Sequence, residues 1–143
     1  MSDRLQQLMD DFEVIDDWEE RYRHVIELGR GLPPFPEESR TAANKVAGCM
    51  SQVWLAERVE TGPQGLVLRL QGDSDALIVK GLVAIALMIF DGRRLSDIEA
   101  IDARAIFDRL GLSGHLTPQR ANGLMAMVAR IKADARRLAE GAA

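Results

Sequence analysis

A chain of 143 residues, 47% hydrophobic and 28% charged, has the length and composition of one ordinary globular domain, here residues 1–143. Its 22 acidic and 18 basic residues leave a net charge of -4, and no Lys/Arg run forms the basic stripe that nucleic acid requires. A single cysteine excludes the disulfide framework of small secreted domains, and with two dispersed histidines it offers no metal-ligand spacing.

The N-terminus, "MSDRLQQLMDDF", lacks the basic and apolar regions of a signal peptide, so the expected location is cytoplasmic. Ser2 or Asp3 is placed to cap a first short helix with Leu5, Leu8 and Phe12 on one face. Asp16 with Glu19 reads as a capping box opening a second helix, whose stripe is Trp18, Tyr22, Val25 and Ile26. Gly29 and Gly31 are expected to stop it, and three prolines make "LPPFPEESR" a loop.

The period then changes. In "SQVWLAERVE", Val53 and Leu55, and with them Glu57, fall on one side of a strand. "LVLRLQ" alternates more cleanly, and "TGPQG" supplies a turn. An antiparallel hairpin pairing 51–60 with 65–72 is predicted, with a short extra strand near 44–47.

Helix signals return at "GDSD", where Asp73 or Ser74 is expected to cap a helix through "ALIVKGLVAIALMIF". Those residues would span roughly 22 Å at ~1.5 Å each, short of the ~30 Å of a bilayer core, so a buried helix is expected, with Lys80 snorkelling out along it. Ser96 and Glu99 read as a capping box for a helix carrying Ile98, Ile101, Ala105 and Ile106 and ending at Gly111. Thr117 as N-cap with Pro118 at the first helical position opens the last helix, whose stripe is Leu124, Val128, Ile131, Ala135 and Leu138. Helices, a small antiparallel sheet, then helices make the fold class α+β.

Chemistry centres on Cys49, in "KVAGCMSQVW". A lone cysteine is in general a small core hydrophobe. This one follows Gly48 in a loop at the start of a strand, where functional groups concentrate. Lys45 is the nearest base in sequence, while His24 and His115 could approach only through the fold. Val46, Ala47 and Met50 form an apolar flank that would suppress ionisation of the thiol. Such a thiol suits a nucleophile held quiet until a partner arrives. Arg120 is a cation in the first turn of the last helix, where a helix dipole disfavours it, which suggests a partner carboxylate or thiolate. Asp73 and Asp75 fit as helix-start acids or as a docking contact. No Walker, G-x-G-x-x-G, G-x-S-x-G or H-E-x-x-H motif occurs.

Four segments carry a resemblance: "WEERYRHVIELGRGLP" (18–33), "VAGCMSQVWL" (46–55), "LQGDSDALIVKGL" (70–82) and "HLTPQRANGL" (115–124). With them the chain resembles the SufE-type sulfur acceptors (SufE or CsdE type) over about 5–138, the G-C-x-S-x-V-W core being the most specific part. The resemblance implies a fold related to IscU-type scaffolds and a role in sulfur relay. Cys49 would accept persulfide sulfur from a PLP-dependent cysteine desulfurase of the SufS or CsdA type and stimulate that enzyme. The sulfur would go on to an iron–sulfur scaffold such as the SufBCD complex. The chain itself would need no cofactor and no metal, and a homodimer is left open. Gly48, Met50, Ser51, Asp73, Asp75 and Arg120 are the candidates for docking or loop support, and Cys49 is expected to be shielded before docking.

Overall fold

The computed structural model describes residues 3–48, 51–112 and 114–142. Helix α1 (Asp3–Val14) buries Leu5, Leu8 and Phe12, as its spacing predicts. The expected cap at Ser2 lies outside the described residues. Helix α2 (Trp18–Arg30) starts one residue later than expected: Asp17, not Asp16, is the N-cap, and its carboxylate accepts from Glu19 N–H at 3.1 Å. Gly29 does not stop this helix; Gly31 caps it. Gly29 is instead buried against helix α3 (Leu77–Phe90). A Cβ on Gly29 would lie 2.6 Å from Gly81 N, and one on Gly81 only 2.1 Å from Val25 O. Two glycines let the helix backbones approach that closely.

The sheet has two antiparallel strands, β1 (Val53–Gly62) and β2 (Gly65–Ser74). The first keeps the predicted length but lies two residues later than 51–60, and the second runs two residues past 65–72. Gly62 pairs with Gly65, so the turn tightens to Pro63 and Gln64, and Gly65 takes φ +121°. At the other end β2 runs on to Ser74, which pairs with Val53. Asp73 and Ser74 are therefore strand residues, and the N-cap of α3 is Ala76, which has no side-chain cap. The cause is the hairpin register, which pairs Trp54 with Asp73 and carries β2 past the sequence's cap signal. The extra strand near 44–47 shrinks to one bridge, Lys45 with Trp54, flanked by Val46 N–H to Val53 O and Leu55 N–H to Asn44 O, both 2.9 Å.

Helix α3 is buried almost all round, which matches its unbroken apolar run. It packs on β2, α2 and the last helix. The helix expected from the Ser96–Glu99 box is two short ones. Helix α4 (Leu95–Ile98) contains Ser96 and has no side-chain cap, while Asp102 caps helix α5 (Ala103–Arg109) through Ala105 N–H at 3.0 Å. Asp102 stops the first helix because its own side chain offers the backbone a new start. Helix α6 (Pro118–Ala142) begins as predicted, with Thr117 Oγ1 accepting from Arg120 N–H at 3.3 Å. Leu124, Val128, Ile131 and Ala135 are buried, and Leu138 packs against that core.

Candidate functional site

Cys49 and Met50 lie outside the described residues, so the expected shielding of the thiol and the role of Met50 have no structural reading. The chain on either side of them is anchored by specific contacts. On the C-terminal side Gln52 is pinned by its backbone. Its N–H donates to Asp75 Oδ1 at 3.0 Å, and its carbonyl accepts from Ser74 Oγ at 2.8 Å and from Asp75 N–H at 3.3 Å. Asp75 is thus tied to the loop rather than capping a helix.

Asp73, one residue before that clasp, is 8% exposed. Arg40 Nη2 lies 2.5 Å from its Oδ2, Lys80 Nζ 3.4 Å from its Oδ1, and Oδ1 also accepts from Ser74 N–H at 2.8 Å. Burial works against its charge, but Arg40, the Ser74 amide and Lys80 outweigh it and hold the carboxyl below its ordinary range. Its buried carboxylate is engaged by these three groups rather than offered to the surface. Lys80 is accordingly an ion-pair partner of Asp73, not a snorkelling side chain without a role. The Arg40 guanidinium also lies over the rings of Trp54 and Phe35, at 4.9 and 5.3 Å. Arg40 sits in the proline-rich loop, where no periodic pattern marked it.

On the N-terminal side the chain reaches Gly48 through buried Val46. Gly48 has φ +87°, and a Cβ there would lie 3.5 Å from Ala126 Cβ on α6. Ser51, beyond the thiol, lines a small cavity of about 40 Å³ walled by Val79, Leu82, Leu124 and Met127, with Gln119 and Arg120 on its polar side. The fold therefore brings Ser51 and Arg120 to one place, beside the start of α6. This volume holds a water or one small group at most.

A second charged group stands behind the loop. Arg130 Nε donates to Asp134 Oδ2 at 2.7 Å, while its Nη1 and Nη2 donate to the carbonyls of Lys45 (3.2 Å) and Ala43. Asp134 faces Glu57 of β1, whose side chain is 6% exposed and whose Oε1 is buried without a hydrogen-bond partner. Burial, then the hydrogen bond and charge of Asp134, push Glu57 up to about 8, against the pull of Arg130 and Arg137. Burial raises Asp134 too, but its hydrogen bonds to Glu57 and Arg130 prevail and leave it lowered. Glu57 therefore holds a proton at neutral pH. Two signals for this group were present in the sequence: Glu57 on the apolar side of β1, and Arg130 and Asp134 one helical turn apart.

Both histidines have ring or charged neighbours within the fold. His115 stacks on Trp18 with ring centroids 3.8 Å apart, and its carbonyl accepts from the Tyr22 hydroxyl. His24 meets the edge of Phe12 and lies 3.7 Å from Asp11. Among the described residues, no three His, Cys, Asp or Glu side chains converge on a point where a metal could sit. No described helix is long and apolar enough to cross a membrane.

The family model for SufE, described as an Fe-S metabolism associated domain, matches residues 6–135. The chain belongs to the SufE family. An uncharacterised SufE-like protein of Rhizobium meliloti is 55% identical over 131 residues, covering 92% of this chain and 94% of that one. A second, from Rhizobium etli, is 52% identical over 132 residues, covering 92% and 89%. The solution structure of a hypothetical protein from Thermus thermophilus superposes with a TM-score of 0.73 over 93% of both chains at 23% identity, which bears on the fold alone. Membership places this SufE-family chain in iron–sulfur metabolism.

Proposed function

We propose that this SufE-family protein is a sulfur carrier whose Cys49 takes persulfide sulfur from a PLP-dependent cysteine desulfurase, stimulating that enzyme by clearing it. The reading is carried by the family match across residues 6–135, with the chain's lone thiol inside its G-C-x-S-x-V-W segment. The Cys49 thiolate attacks the terminal sulfur of the donor persulfide. The donor's sulfur–sulfur bond breaks, a new one forms at Cys49 Sγ, and the donor cysteine leaves as a thiolate. No net oxidation occurs, so the carrier needs neither metal nor cofactor; PLP belongs to the desulfurase. A second attack, by an acceptor thiol on a scaffold such as the SufBCD complex, releases the sulfur in the cytoplasm.

The geometry supports such a role. A carrier thiol must be presented to another protein on a loop whose ends do not move, and Gln52 is held at three backbone contacts. Arg120 beside Ser51 supplies a positive charge on the same side, suited to a partner carboxylate or to the persulfide anion.

Incubation with a desulfurase and L-cysteine, followed by intact-mass measurement, tests the proposal. Wild type should gain sulfur and Cys49→Ser none. Absence of sulfur on wild type with both SufS- and CsdA-type desulfurases sinks it. Full desulfurase stimulation by Cys49→Ser would instead make the chain a non-catalytic adaptor with a structural cysteine.

A further inference from the structure

The segment before Cys49 is an edge. Its bridge to β1 uses Asn44 O and Val46 N–H. Lys45, the bridge residue, directs its own carbonyl away from β1, and Ala43 lies in the turn just before it. Both carbonyls are acceptors that the bridge itself does not use. Both are taken by one side chain, Arg130, whose remaining donor Nε is held by Asp134. The guanidinium fork spans two alternate carbonyls, which a lysine ammonium does not do in one rigid geometry. Arg130 is half-buried and Asp134 is nine-tenths buried, so the fork is aimed before it meets the loop.

From this geometry we infer that Arg130, oriented by Asp134, is a positioning residue that clamps the 43–46 stem onto α6 and thereby fixes where Cys49 is presented. The contact joins α6 to residues 85 and 87 positions earlier in the chain. The stem is thus held on one side by β1 and on the other by α6, leaving only 47–51 between Val46 and the Gln52 clasp. The inference rests on the proposed carrier role for its kinetic readout alone.

The test compares full-length wild type, Arg130→Met and Arg130→Lys. Hydrogen exchange of the Val46 and Leu55 amides, which form the stem bridge, should quicken about tenfold in Arg130→Met. Alkylation of Cys49 by iodoacetamide should change by at least about threefold, and the rate of sulfur uptake at saturating desulfurase should fall by roughly tenfold, as misplacement of a reacting group predicts. The desulfurase concentration giving half-maximal rate should stay within about twofold of wild type, because docking is not what is altered. Arg130→Lys keeps the charge beside Asp134 but loses the fork. It should hold wild-type thermal stability while showing the same three changes at smaller size, and it carries the test should Arg130→Met fail to fold. Wild-type exchange in Arg130→Lys and in any folded Arg130→Met overturns the inference. So does a loosened stem with unchanged alkylation and uptake, which would make Arg130 merely structural. If wild type takes up no sulfur, the carrier proposal fails, while exchange and alkylation still decide the clamp.

Discussion

The two ends of the Cys49 loop are both backed by buried carboxylates, and the two are in opposite states. Behind Gln52, Asp73 has two cationic partners and stays ionised well into acid. Behind Lys45, Glu57 shares its site with another carboxylate, keeps one oxygen without a partner and carries a proton near neutrality. The difference lies in burial and in the second carboxyl. One anion between two cations resolves into ion pairs. Two carboxyls beside Arg130 and the more exposed Arg137, with Glu57 buried, resolve by keeping one neutral.

The contrast can be broken by pH, and this should give the largest effect. Glu57 binds its proton more tightly folded, near 8, than unfolded, near 4.5. Between those values the unfolded chain has released a proton that the native state still holds, so stability falls as pH rises through that window. The loss should be on the order of 2–4 kcal/mol, complete above about pH 8. Denaturant titrations at pH 5, 7 and 9 should show the decline, and Glu57→Gln, which keeps a donor for Asp134 but cannot ionise, should flatten it. An unchanged slope in Glu57→Gln would place the titration elsewhere.

Asp73 has the opposite sign. Its folded value is depressed, so its contribution is present above its unfolded value and is lost only as pH falls into the acid range. Asp73→Ala leaves Arg40 and Lys80 facing each other without their anion. Since both cations are partly exposed, the cost should be about 2–3 kcal/mol, below that of a fully buried pair. Thermal unfolding should register it as a fall in Tm of roughly 6–12 °C.

Smaller effects separate the loop backbone from its charged supports. Gly48→Ala forces a side chain into φ +87° and should cost about 1–2 kcal/mol at every pH, because the strain is steric. The nearest atom to the new Cβ is at ordinary contact distance, so no clash adds to it. Thr117→Ala removes the cap on Arg120 N–H and should cost about 1 kcal/mol, again without pH dependence. If either variant changed the alkaline slope, the Glu57 group would not be the independent unit that its contacts indicate.

Much of this was legible in the chain itself. The apolar run of α3, the Thr117–Pro118 start of α6, the stripe of α1 and the α+β order follow from periodicity and capping, which are local. So did the family, because the G-C-x-S-x-V-W, G-D-S-D and L-T-P-x-R segments are contiguous in sequence. The failures share a cause. Asp73 reads as a cap because the sequence shows the helix after it, not the strand paired beside it. Gly29 reads as a stop because nothing local shows that Gly81 lies against it. Ser96 is the exception, because the start observed beyond it, at Asp102, is itself local.

What the sequence determined alone is one thiol, in a glycine-containing loop, within a recognisable family. Only the tertiary structure decided what holds that loop. Arg130 meets Ala43 and Lys45 across more than eighty residues, and Asp73 meets Arg40 across 33. Charges so far apart in the chain acquire their partners, and their protonation states, only when packing brings them together and removes water from between them.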